Sequence, residues 1–100
     1  MATLSKALFR GAAATSSTTL YTVPASTTTV VTNIVVTNSA ATAATFTITL
    51  DGVDLFKDAA IAANSTAGFD IKQVLATTKI IAGLASATTV RFHFSGVEVS

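Results

Sequence analysis

The sequence predicts an all-β protein: an antiparallel β-sandwich or small jelly roll of 7–8 strands with an extended N-terminal arm. Three observations carry this expectation. From Leu20 onward, apolar and polar residues alternate with a period of two. Thr and Val, which suit a pleated surface, dominate the alternating segments, and no long stretch shows the helical period. Turn-forming clusters of Pro, Gly, Asn, Asp and Ser separate these segments at short intervals. The 100 residues suffice for one domain, and a chain of this size buries about two thirds of its unfolded surface.

Residues 1–19, MATLSKALFRGAAATSSTT, hold few large apolar side chains. Such a segment cannot offset the entropy of ordering by itself, so it is expected to be a flexible or extended arm that orders on a partner. Within it Lys6, Leu8, Phe9 and Arg10 are the candidate partner-binding residues, two large apolar side chains flanked by two cations. The apolar patch is far shorter than the core of a secretory signal. Its acid-free, Ser- and Ala-rich composition is shared with organelle transit peptides, an alternative to the arm.

Residues 20–100 form the expected sandwich. Leu20–Val23 reads as a short strand, Pro24-Ala25-Ser26 as a turn and Thr27–Asn38 as a long strand. On the long strand Val30, Thr32, Ile34 and Val36 share one face, and Val31 and Val35 the other. After a loop at Asn38–Ala41, Phe46, Ile48 and Leu50 alternate with Thr45, Thr47 and Thr49. Asp51-Gly52 is a strong hairpin signal; a two-residue turn pairs Leu50 with Val53 and sets Ile48 against Leu55. Thr66–Phe69 is strand-like, and Asp70-Ile71-Lys72-Gln73 then resembles a capping box that predicts one helical turn through Leu75. Thr78–Leu84 reads as another strand. In the last one Val90, Phe92 and Phe94 point inward. The phase then changes to Val97 and Val99, so a bulge is expected at Ser95-Gly96.

The residues for chemistry are sparse. His93 is the sole histidine, no Gly-x-Ser-x-Gly elbow is present, and no enzyme is expected. Asp51, Asp54 and Asp58 cluster, but their spacing does not fit a calcium loop, so no metal is assigned. No Gly-rich phosphate loop suggests a cofactor, and none is expected. With no cysteine, neither a disulfide scaffold nor a thiolate zinc site can form. The net charge of +1 and the scattered basic residues give no nucleic-acid footprint. No run approaches the roughly 20 apolar residues of a membrane helix. Asn64-Ser65-Thr66 matches a glycosylation sequon, for which a plain turn is the preferred account.

Charged residues make up 11% of the chain, against roughly 25% in an ordinary soluble domain. None lies between Arg10 and Asp51. A bare edge strand reading V-V-T-N-I-V-V would be an aggregation hazard, because free β-domains guard their edges with charges and prolines. The missing charge therefore points to edges and faces covered in a homo-oligomer or a larger lattice.

The string from Leu20 to Leu50, LYTVPASTTTVVTNIVVTNSAATAATFTITL, and the closing VRFHFSGVEV resemble small structural proteins of tailed bacteriophage virions. The resemblance covers about four fifths of the chain. It implies a non-catalytic virion protein on the capsid surface, assembled in the bacterial host cytoplasm. The leading expectation is a head decoration (cement) protein that partners the major capsid protein and itself, as a trimer. A tail, neck or fibre component is the alternative. From a different class, a receptor- or carbohydrate-binding β module is a third reading; the absence of Trp and the single Tyr count against it.

Overall fold

The computed structural model describes residues 3–100 and contains eight strands. They are β1 (Thr3–Ala12), β2 (Thr18–Thr22), β3 (Thr28–Asn38), β4 (Ala44–Leu50), β5 (Val53–Ile61), β6 (Ser65–Leu75), β7 (Ile80–Ala85) and β8 (Val90–Val99). Two antiparallel four-stranded sheets form, in the orders β1-β8-β3-β6 and β2-β7-β4-β5. β1 pairs with β8, β2 with β7, β3 with β6 and β4 with β5. The chain is thus one long hairpin, tipped by Asp51-Gly52, rolled so that β3 also lies beside β8 and β4 beside β7. This double Greek-key arrangement is a jelly roll.

The Asp51-Gly52 turn has positive φ at both residues (54° and 74°), as a two-residue turn matched to strand twist requires. Leu50 pairs with Val53 and Thr49 with Asp54, in the expected register, but Ile48 lies opposite Phe56 rather than Leu55. A bulge on β5 inserts the extra residue. Nearby, Asp58 adopts φ of 48° and its N–H donates to Thr47 Oγ1 at 3.0 Å.

Between the sheets, the six phenylalanines form one connected series. Phe9 meets Phe94, Phe94 meets Phe92, Phe92 meets Phe46, and Phe46 meets both Phe56 and Phe69. Val31, Ile34, Val36, Ile48, Ile81 and Val90 fill the space around them and are fully buried. Burying a side chain of this size contributes roughly 1.5–3 kcal/mol each.

Three expectations need correction. The segment expected to be an arm is strand β1, paired with β8 from Thr3 to Ala12; Met1 and Ala2 lie outside the described residues. The expected helical turn at Asp70–Leu75 is strand, because Ala67, Phe69 and Ile71 carry the inward alternation straight through the capping-box signal. Finally, β8 does not change phase. Gly96 and Glu98 continue its inward row, while the bulges fall on its neighbours, at Leu8 on β1 and Thr32 on β3. As a result Thr29 and Val31, not Val30 and Thr32, join Ile34 and Val36 inside. A Cβ on Gly96 would stand 2.3 Å from the Val30 carbonyl oxygen, so glycine is needed where β3 crowds in.

Much of the charge silence has a topological cause, although the edge strand β2 also lies within it. β3 and β4 are central strands, hydrogen-bonded on both sides by their own chain. The charges sit on edges: Lys6 and Arg10 on β1, Asp54, Lys57 and Asp58 on β5, Asp70 and Lys72 on β6. That is seven of the eleven charged residues, placed where they discourage strand addition. Val30–Val36 is therefore not an exposed edge.

Candidate interaction surface

The four residues singled out in the sequence do not act together. Leu8 is the bulged residue of β1 and is 7% exposed, part of the core. Phe9 is half-buried against Phe94, with ring centroids 6.4 Å apart. Lys6 lies on the sandwich side of β1, where its ammonium reaches Glu98 Oε2 at 3.4 Å. Only Arg10 projects from the outer face of the β1-β8-β3-β6 sheet, opposite His93 in register.

That outer face has no covering layer. Strand alternation places Arg10, His93 and Val35 in one row across β1, β8 and β3, and Ser5, Val97, Val30 and Val74 in another that extends to β6. Val74 is 68% exposed. Along the first row lies an open depression of about 360 Å³ lined by Arg10, Asn33, Val35, Thr37, His93 and Ser95. Among the described residues only two ion pairs form, Lys6–Glu98 and Lys79–Asp51, so Arg10 and Arg91 meet no carboxylate. Arg91 instead donates to Ser39 Oγ at 3.0 Å. The arrangement offers a valine stripe beside unpaired cations, suited to a broad protein contact.

Two polar clusters brace the ends of the sandwich. At one end Asn38, 1% exposed, bonds to three loops. Its Nδ2 donates to the carbonyls of Thr42 (2.9 Å) and Ala62 (3.3 Å), and its Oδ1 accepts from Ala40 N–H (3.1 Å) and Thr89 Oγ1 (3.2 Å). At the other end, Glu98 is 9% exposed. Its carboxylate accepts from the Tyr21 hydroxyl, which comes from the opposite sheet and also bonds Thr29 Oγ1 at 2.9 Å. Burial, reinforced by the hydrogen bond to Glu98, raises the Tyr21 phenol above its ordinary value.

Sequence reasoning missed both clusters. Glu98 was hidden by the supposed phase change on β8, and Asn38 carried no signal beyond its place at a strand end. The Asp51–Asp54–Asp58 group does not converge, and among the described residues no three His, Cys, Asp or Glu side chains are grouped to hold a metal ion. No protein-family model matches the chain, and no curated protein matches it as a relative.

Proposed function

We propose that this chain is a non-catalytic virion structural protein, a capsid decoration protein that binds the assembled head and stabilises it. The major capsid protein and further copies of the chain, as a trimer, are its partners. One observation carries the reading: the outer face of the β1-β8-β3-β6 sheet joins a stripe of valines to unpaired arginines over a solid core. The jelly roll supports it by analogy of fold, since that architecture serves viral capsids as well as lectins and cupins. All seven aromatic side chains pack on the core, which favours protein contact over stacking on a sugar. The anchor moves accordingly from a free arm to the sheet face, with Arg10 kept as a contact residue. Binding only to the finished shell stabilises it by about 4 kcal/mol per site at a thousandfold excess over the dissociation constant.

The test is to add purified protein to heads that lack it, then measure co-sedimentation and the melting temperature of the shell. Saturable binding with a raised melting temperature is expected, weakened by the paired substitutions Arg10→Glu and Arg91→Glu. Binding to tails instead of heads, or no saturable binding to either, would overturn the reading.

A further inference from the structure

β1 is two strands in one. From Leu8 to Ala12 it is locked: Leu8 is buried, the Phe9 ring packs on Phe94 and over Gly11, and Ala13 N–H donates to the Val90 carbonyl at 2.8 Å. From Thr3 to Ala7 every residue is exposed. Leu4 faces the sandwich side opposite Glu98 yet remains 56% exposed, because the opposite sheet does not cover it. The bulge at Leu8 separates the halves. Apart from its backbone ladder to Ser95–Val99, the outer half makes one side-chain hydrogen bond among the described residues, Lys6 to Glu98. Glu98 keeps a partner when that contact opens, because Tyr21 also donates to it.

We propose that Thr3–Ala7 is an exchangeable strand, which leaves β8 of its own copy and pairs with β8 of a second copy. The occupant is chosen by fit. A vacated β8 edge presents unpaired backbone groups and the inward Glu98 carboxylate, a combination that rejects most apolar strands. The one segment shown to match it is the chain's own, whose Leu4 falls opposite Glu98 and whose Lys6 supplies the ammonium. Contacts made within one copy are remade between two, so the exchange changes little in bonding, the usual basis of domain swapping. Strand addition to an open edge supplies the rest. The proposal deepens the assembly reading by naming how copies join, and it rests on that reading.

The chain has no cysteine, so introduced ones report cleanly. Ser5 and Val97 are register partners, and the spacing of paired antiparallel residues suits a disulfide. Full-length Ser5→Cys and Val97→Cys proteins are mixed, incubated and oxidised, and the linked peptides are identified by mass spectrometry. Exchange predicts a mixed disulfide between copies at least about tenfold above the like-with-like dimers, a threshold equal to one decade in the pairing constant. The double variant, oxidised at high dilution, is expected to close within one chain. Mixed disulfides at chance level beside normal closure of the double variant would overturn the exchange. Failure of the double variant to close would overturn the pairing on which it depends. Retained head binding by chains that do not exchange would remove this inference alone and leave the proposed function standing.

Discussion

The two ends of the sandwich are held by different means. At the Asn38 end a neutral amide meets four groups in the loops after β3, β5 and β7, and all four partners belong to the body of the molecule. At the opposite end a carboxylate joins the two sheets through Tyr21, and one of its partners, Lys6, belongs to a half-strand with no cover. The neutral cluster is insensitive to pH over the ordinary range and closes on itself. The charged cluster includes a phenol raised by burial and has a partner that can leave. One end is built to stay shut and the other to open at β1.

The largest break in this comparison comes from Asn38→Asp. It places a carboxylate against the Thr42 and Ala62 carbonyls, and an uncompensated buried charge costs about 3–5 kcal/mol. Urea denaturation at neutral pH should register that loss, a large share of the roughly 5–15 kcal/mol of a small domain. Next is Gly96→Ala, whose Cβ meets the backbone of Val30. Forcing β3 and β8 apart is expected to cost about 2 kcal/mol in the same assay, as overpacking does.

Tyr21 sharpens the contrast through pH. Its phenol is raised in the folded state, so its contribution is complete below the unfolded value of about 10 and is lost as pH rises through the folded value. Alkaline unfolding should therefore track tyrosinate absorbance, which in this chain reports Tyr21 alone. In Tyr21→Phe that part of the pH dependence should vanish. The smallest effect is expected for Lys6→Ala. A half-exposed ion pair is worth less than about 1 kcal/mol, so global denaturation should barely move while exchange of the Thr3–Ala7 amides accelerates.

Much of the fold was legible because alternation is a strong signal where one face is buried. Phe46, Ile48 and Leu50 against three threonines announced β4, and Asp51-Gly52 announced the hairpin and its first two pairs. Bulges defeated the same logic. In β1 the inward set runs Leu4, Lys6, Leu8 and then slips to Phe9 and Gly11, so the strand never shows a clean period. On β3 the slip at Thr32 reversed the inner and outer assignment of Val30 and Val31. Local sequence also misled at Asp70–Gln73, where a capping-box pattern lost to pairing with β3 along the whole of β6. Of the candidate site, Arg10 was legible and its setting was not. The row that joins it to His93 and Val35 depends on bringing β1 and β3 to opposite sides of β8, which periodicity along the chain does not encode.

The charge pattern carries a related lesson. Read along the chain, forty residues without charge from Gly11 to Leu50 suggest a surface hidden by neighbours. Folded, much of that stretch becomes the two central strands β3 and β4, hidden by the chain itself. The case for assembly therefore rests on the outer face and on the edge strands, β1 and the uncharged β2, not on β3.

Amide hydrogen exchange of the full chain, read residue by residue, tests the contrast between a closed and an openable end most directly. The account predicts strong protection at Asn38 and its loop partner Ala40, intermediate protection in β1 at the ladder positions from Phe9 to Ala12, and fast exchange in Thr3–Ala7. Uniform protection along β1, equal to that of β3, would contradict it.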